Sequence, residues 1–108
     1  MNQAIIDRQV GAMRAQGLDA LIAISPENVA YTTGFLVPSP PLLRWRHCLV
    51  VVTATRRLGM VVVDMEEFTV RDRVPIQDIR SWNEFTENPM DRLAELVTDL
   101  KLALSRIG

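Results

Sequence analysis

Two arginines, a tryptophan and a histidine stand together in the segment Leu43–His47 of this 108-residue chain. The planar guanidinium of Arg44 or Arg46 can donate two parallel hydrogen bonds to a carboxylate, and Trp45 can cover the apolar part of a bound molecule. The same residues also suit a solvated loop in which Trp45 fills a core or an interface. The candidate substrate-binding residues are therefore Arg44, Trp45, Arg46 and His47, with a surface loop as the alternative.

Nucleophilic chemistry lacks the arrangement that it requires. Cys48 follows His47 directly, but adjacent residues on a strand point to opposite faces, so the two side chains are not expected to meet. Cys48 is expected to be a small buried apolar residue. The glycines are scattered, and none forms a phosphate-binding loop of the Walker or dinucleotide type. We expect no catalytic residue in this chain.

A metal site also lacks its ligands. His47 is the only histidine, and no acidic residue lies around it at a ligand-like spacing. Asp64, Glu66 and Glu67 cluster after a predicted strand, where three neighbouring acids usually form a solvated loop. We therefore expect no metal and no cofactor bound by this chain.

The amino-acid composition is typical of an ordinary globular domain. The chain is 48% hydrophobic and 23% charged, and its length suits one domain. A net charge of −1 argues against nucleic acid as a partner. The charged N-terminal segment is unlike a signal peptide, and the apolar runs are too short to span a membrane. A single cysteine excludes an internal disulfide. We expect a soluble cytoplasmic protein that binds no membrane.

The N-terminal third predicts a helix, a strand and a short helix. Residues 3–16 form an apolar stripe at spacings of four and three, made by Ile6, Val10 and Met13. Gly17 favours the end of that helix. Residues 18–24 predict a buried strand. Ser25, followed by a proline, predicts the start of a helix that must end by Gly34.

The middle of the chain predicts a loop and a hairpin. Prolines between residues 36 and 46 exclude regular structure there. The valine-rich segments 47–53 and 58–64 are four residues apart, which predicts two antiparallel strands. Because both have runs of valine rather than strict alternation, the sheet is expected to be covered on both faces.

The last third predicts a short helix, a strand and a long helix. Residues 65–73 can form one or two helical turns, and residues 77–82 predict a short strand that could lie at the sheet edge. Asn88 and the proline after it favour a helix start. An apolar stripe then runs from Leu93 to Ile107, and Gly108 is expected to end this helix.

Residues 17–35, GLDALIAISPENVAYTTGF, resemble the N-terminal domain of the creatinase, prolidase and aminopeptidase P family. In that family a Gly-Leu-Asp-Ala-Leu strand leads to Pro-x-Asn-hydrophobic-x-Tyr and then to Thr-Gly-Phe or Thr-Gly-Tyr. The matching residues here are Pro26, Asn28, Tyr31, Thr33, Gly34 and Phe35. The valine-rich hairpin and a closing helix ending at Leu104–Gly108 extend the resemblance over the chain, although only residues 17–35 are specific.

The resemblance implies an α/β fold, in which a mixed sheet is flanked by helices in a ribonuclease H-like three-layer arrangement. It implies a single domain over residues 1–108, with the catalytic pita-bread domain of the family absent from this chain. Ribonuclease H chemistry itself is not expected, because it needs several carboxylates on two metals and only Asp64 is suitably placed.

The motif residues are expected to serve the fold before they serve a substrate. Asn28 can bond nearby backbone at the strand-to-helix turn. Gly34 permits the chain to reverse, and Tyr31 and Phe35 can pack the short helix onto the sheet. Direct contact with a substrate is the alternative role of these four residues.

By resemblance, the chain is the non-catalytic N-terminal domain of a metal-dependent Xaa-Pro peptidase or creatinase-like hydrolase, and contributes to dimerisation and to shaping the substrate pocket. The family's catalytic domain holds two divalent metal ions (Mn, Co or Zn) unless it is creatinase-like. The implied partners are that domain, a second copy, and a small peptide or amide substrate.

In family members, the loop that precedes the hairpin can approach the active site of the dimer partner. This would bring Arg44, Arg46 or His47 to the polar end of the substrate. The proline-rich stretch PSPPLL departs from the family's common loop and leaves the substrate class open. A freestanding small-ligand or protein-binding α/β module is the alternative function.

Overall fold

The computed structural model describes residues 2–35, 48–83 and 85–100 of the chain. Its strands form one sheet in the order β1-β2-β3-β4, with the first two pairings antiparallel and the β3–β4 pairing parallel. The strands are β1 (Ala20–Ala23), β2 (Leu49–Thr53), β3 (Leu58–Val63) and β4 (Asp78–Trp82). The helices are α1 (Gln3–Gln16), α2 (Pro26–Thr33), α3 (Glu67–Arg73) and α4 (Pro89–Asp99), with a 3-10 turn at Asp64–Glu66. The predicted mixed α/β sheet is confirmed.

Side-chain caps begin α1, α2 and α4, and glycines end the first two helices. Ser25 Oγ accepts a hydrogen bond from the backbone N–H of Asn28 at 3.2 Å, and Asn88 Oδ1 accepts one from Met90 at 2.9 Å. Gly17 and Gly34 follow α1 and α2 with φ of 70° and 77°. A side chain would be strained in this left-handed conformation, so glycine stops each helix cheaply.

The hairpin of β2 and β3 is the centre of the sheet. Leu49 pairs with Val61, and Val52 pairs with Leu58, as antiparallel neighbours. The connection closes when the N–H of Thr53 donates to the carbonyl of Arg57 and the N–H of Arg57 donates to Thr53 Oγ1, both at 2.9 Å. The predicted antiparallel hairpin is confirmed.

Helices cover both faces of this hairpin, because its side chains alternate between two cores. The first core packs the even-numbered hairpin residues against α1, α2 and α3; its buried members include Val50, Val52, Met60, Val62, Val29 and Val70. The second packs the odd-numbered residues against α4; its members include Leu49, Val51, Val61, Val63 and Leu96. The result is a three-layer arrangement, and the valine runs are explained by burial on both faces.

The C-terminal elements complete the second face. The chain leaves β3 through the 3-10 turn and α3, and then returns as β4 parallel to β3, because a parallel neighbour requires a crossover connection. The helix α4 then packs against β3 and β4. The predicted continuation of this helix to Ile107 and its end at Gly108 lie outside the described residues. Within the described ranges, no helix is both long enough and apolar enough to cross a membrane.

A glycine in β3 allows α4 to lie close to the sheet. A Cβ atom added at Gly59 would lie 2.5 Å from Cδ1 of Leu96 and 2.9 Å from its Cδ2. Leu96 is fully buried, so its methyl groups have little space into which they can move. Gly59 therefore sets the distance between α4 and the sheet.

We predict that Gly59→Ala destabilises the domain by about 1–3 kcal/mol, because the added methyl overpacks a dense core. Urea unfolding monitored by circular dichroism measures the change. Gly11→Ala is the matched control: nothing lies within 4 Å of its added Cβ on α1. Alanine should stabilise that helix by about 0.5–1 kcal/mol. In the double variant with Leu96→Ala, the Gly59→Ala cost should shrink. Equal stability of the Gly59→Ala variant and the wild type would contradict this account.

Candidate functional site

The predicted substrate-binding residues Arg44, Trp45, Arg46 and His47 lie outside the described residues. Cys48, the first described residue after them, is buried directly before β2. This residue lies at the end of the sheet where β1 and β3 finish, because β2 is antiparallel to both. The described part of the candidate site comprises the residues around that end of the sheet and the motif segment at α2.

The turn from β1 into α2 is held by Ser25 rather than by the amide of Asn28. Asn28 contributes its backbone N–H to the cap, and its exposed side chain makes no hydrogen bond among the described residues. The predicted bonding of the Asn28 side chain to nearby backbone is thus not what holds this turn. Serine has the shorter side chain, and at the N-cap its oxygen reaches the free amide.

Phe35 and Tyr31 differ in their placement. Phe35 packs against the core beneath α2, as predicted. Tyr31 is 46% exposed, so its predicted packing of α2 onto the sheet stays a prediction. Val29 and Thr33 are four residues apart and form the buried face of this short helix. Tyr31 is two positions from Val29, about 200° around the helix, so its ring lies off the face that Val29 buries.

Thr33 is a buried polar residue for which the sequence suggested no separate role. Its hydroxyl donates to the carbonyl of Val29 at 2.8 Å and accepts from the N–H of Phe35 at 3.2 Å. A buried hydroxyl costs free energy unless it is hydrogen-bonded. Thr33 therefore ties the end of α2 to the glycine turn at Gly34.

A cavity of about 170 Å³ lies between α1, α2 and β1, and we call it the α1–α2 cavity. Its lining residues are Gln9, Leu21, Ile22, Ala23, Asn28, Tyr31, Thr32 and Val52. Gln9 Nε2 donates to Thr32 Oγ1 at 2.9 Å, whereas the buried Gln9 Oε1 has no partner among the described residues. The sequence did not predict this cavity, because a polar residue such as Gln9 on an amphipathic helix does not indicate which residues of other elements lie beside it.

The three acidic residues after β3 do not share one environment. Asp64 accepts a hydrogen bond from Asn83 Nδ2 at 3.2 Å. Arg71 donates to Glu67 at 2.8 Å; this bond, together with one from Ser81, lowers the pKa of the Glu67 carboxyl. The expectation of a solvated loop is wrong for Glu66, which is only 7% exposed. The 3-10 turn directs this side chain inward. No group of three metal-binding side chains occurs in the part of the chain that the structure describes.

Cys48 lies in the first core, as the sequence predicted. Burial, with a smaller contribution from the negative charge of Glu66, raises the pKa of its thiol to about 12. A thiol is a nucleophile only as the thiolate, and this one remains protonated at neutral pH. Cys48 therefore serves packing.

Exposed apolar side chains occur in the connections that follow β3 and β4. They are Met65, Phe68 and Phe85, and we call them the Phe68–Phe85 surface. Phe68 is 84% exposed and Phe85 is 86% exposed. The hydrogen bond between Asp64 and Asn83 holds together the two connections that follow β3 and β4, from which this surface is built. Exposed aromatic residues become candidates for contact with another protein surface where they lie together.

The three-layer fold, in which helices cover both faces of a mixed four-stranded sheet, defines a small α/β domain. Residues 6–108 match the family model described as the Creatinase/Prolidase N-terminal domain. The chain belongs to this family, so the resemblance found in residues 17–35 is confirmed. A comparison with curated protein sequences gives no significant match.

Solved structures share the fold at low sequence identity. A proline dipeptidase from Streptococcus agalactiae is 20% identical with a TM-score of 0.72, covering 87% of this chain and 67% of that one. An aminopeptidase P from Streptococcus thermophilus is 20% identical with a TM-score of 0.67, covering 92% and 67%. A dipeptidase from Pyrococcus horikoshii is 19% identical with a TM-score of 0.75, covering 95% of this chain but only 27% of its own.

We predict that Cys48 makes stability fall in alkaline solution. The pKa of the thiol is near 9.0 when the chain is unfolded and about 12 when it is folded. The contribution of this thiol to the free energy of unfolding is therefore fully present below pH 9. It is lost as the pH rises toward 12, by at most about 1.4 kcal/mol per pH unit. The unfolding free energies of the wild type and Cys48→Ala, measured from pH 7 to pH 10.5, should converge above pH 9. Parallel curves for the two proteins would contradict the assignment.

Proposed function

We propose that this chain is the non-catalytic N-terminal domain of a metal-dependent Xaa-Pro peptidase or creatinase-like hydrolase. The observation that carries the proposal is the family match over residues 6–108. The structural relatives described as a proline dipeptidase and an aminopeptidase P support the Xaa-Pro substrate class. The chain corresponds to about a quarter of the Pyrococcus dipeptidase, which supports a longer protein with a separate catalytic domain.

The metal chemistry belongs to that catalytic domain in this proposal. Two divalent ions (Mn, Co or Zn) would be held there, unless the protein is creatinase-like. The role of residues 1–108 is structural: the domain contacts its own catalytic domain and a second copy, and so shapes the substrate pocket. We further propose that the protein acts in the cytoplasm, where its single buried thiol would stay reduced.

The Phe68–Phe85 surface supports the contact role. A side chain as exposed as Phe68 or Phe85 gains nothing from folding of this domain alone. Burying both rings against another domain or subunit would stabilise the assembly, since aromatic side chains dominate the energetics of interfaces. We therefore propose this surface as the place where the domain meets the rest of the dimeric enzyme.

The segment from Arg44 to His47 is the proposed link to the substrate. Its arginines suit a carboxylate or another polar terminus of a small peptide or amide. Cys48, the residue that follows it, lies at the end of the sheet that also carries Met65 and Phe85. A contact at this end would serve assembly and the substrate pocket together.

A freestanding binding module is the second candidate function, and the exposed phenylalanines would then contact an unrelated protein. The reading frame distinguishes the two. A frame that continues for several hundred residues with spaced Asp, His and Glu ligands supports the enzyme, and a stop codon after Gly108 supports the module.

We predict that Arg44→Ala combined with Arg46→Ala in the full-length enzyme raises KM for an Xaa-Pro dipeptide about tenfold or more. Two charge-assisted hydrogen bonds to the substrate would be lost, and each contributes about 1.5–3 kcal/mol. Steady-state kinetics with added Mn²⁺ measures the effect, and thermal unfolding should change little.

Arg8→Ala with Arg14→Ala is the control for the loss of two positive charges, because both residues lie on α1. It should leave KM unchanged. The isolated 108-residue chain should not cleave the dipeptide with Mn²⁺ or Co²⁺. Turnover by that chain, or wild-type KM in the Arg44/Arg46 variant, would contradict the proposal.

We predict that Phe68→Ser combined with Phe85→Ser weakens the dimer of the full-length protein by about tenfold or more. Removing two buried aromatic anchors from an interface typically has at least this effect. Sedimentation velocity over a concentration series measures the dimer dissociation constant. Tyr31→Ser is the control, since it removes a partly exposed aromatic ring on α2. An unchanged dissociation constant in the double variant would exclude this surface from the dimer contact.

A further inference from the structure

The α1–α2 cavity has the composition of a small binding site, separate from the Phe68–Phe85 surface. Its apolar part is formed by Leu21, Ala23 and Val52. Its polar part consists of Gln9, Asn28 and Tyr31, with the hydroxyl of Thr32 behind them. Binding sites for small molecules commonly combine apolar walls with a few placed polar groups.

None of the described residues that line the cavity is charged. A charged ligand would lose hydration on entering such a cavity and would gain no opposite charge in return. The cavity volume of about 170 Å³ exceeds the space that one water molecule requires. The ligand class indicated by the walls is therefore a small uncharged molecule, about the size of one ring with a single substituent.

The side chain of Gln9 offers a ligand a hydrogen-bond acceptor in the cavity. Its Nε2 is used by Thr32 at 2.9 Å, and its Oε1 is buried with no partner among the described residues. A buried acceptor without a donor is unusual in a folded protein. The terminal torsion of glutamine is broad, so the amide can turn toward a donor that enters the cavity. Asn28 and Tyr31, one helical turn apart on α2, present donors and acceptors nearby.

We propose that the α1–α2 cavity binds a small uncharged carboxamide with an apolar body. The apolar body lies against Leu21 and Val52, and an N–H of the ligand donates to Gln9 Oε1. The carbonyl of the ligand accepts from Asn28 or Tyr31. A primary carboxamide carries a donor and an acceptor on one planar group, which matches this pair of requirements. The site is formed within residues 2–35 and 48–83 and does not depend on the catalytic domain proposed above.

Benzamide is the probe for this site, with the 108-residue chain labelled with ¹⁵N. Titration should give saturable shifts in the backbone amide signals of Leu21, Ala23, Asn28 and Thr32, with a dissociation constant in the millimolar range that suits so small a ligand. Benzoate adds a charge and toluene lacks the amide, so each should bind at least about tenfold more weakly than benzamide.

Gln9→Met removes the polar atoms and nearly keeps the side-chain volume, and it should weaken benzamide binding about tenfold. Gln3→Met is the control, because Gln3 is exposed and its side chain donates to Asp7, away from the cavity lining. Asn28→Ala should also weaken binding, and its exposed position makes loss of folding an implausible explanation.

Three results would overturn the proposal. Absence of shifts up to the solubility limit of benzamide would mean that the cavity holds water only. Equal affinity for benzoate would remove the argument from the uncharged walls. Wild-type affinity in both Gln9→Met and Asn28→Ala would show that benzamide binds elsewhere.

Discussion

Burial of the central hairpin on both faces is the constraint from which the rest of the fold follows. Val50 and Val62 face one core, whereas Val51 and Val61 face the other, and all four are inaccessible to solvent. A strand pair of this kind is unstable unless apolar helices lie on each side of it. The helices α1, α2 and α3 supply one layer, and α4 supplies the other. The separation of the layers is then set by single residues such as Gly59.

Most of these helices and strands could be predicted from the sequence, because their boundaries depend on residues close together in the chain. Helix α1 ends at Gly17, and α2 begins after Ser25, for reasons contained in those residues and their immediate neighbours. The order of the sheet was a different matter. The residues of β4 alone do not indicate that it pairs with β3 in parallel rather than pairing with β1. That pairing depends on the path of α3 and on which sheet edge remains open.

The candidate sites were less predictable than the fold, since they depend on distances between segments far apart in the chain. Gln9 and Thr32 meet across 23 residues, and neither belongs to a recognisable motif. The exposure of Tyr31 shows the same limit. An aromatic residue inside a family motif suggests a core position, but the helical period places it opposite Val29. Glu66 shows the converse, because an acidic residue among other acids is buried by the turn that follows β3.

The two surfaces that carry the proposals differ in what they contribute to stability. Phe68 and Phe85 are almost fully exposed, so their replacement leaves the free energy of unfolding of this domain nearly unchanged. Gln9 is different, because its Nε2 donates to Thr32 while its Oε1 has no donor among the residues that the structure describes. A buried acceptor without a hydrogen bond is stabilised by a ligand that donates to it. An exposed aromatic ring is stabilised by any apolar surface that covers it. Selectivity for a small molecule is therefore to be sought at the α1–α2 cavity, and assembly at the Phe68–Phe85 surface.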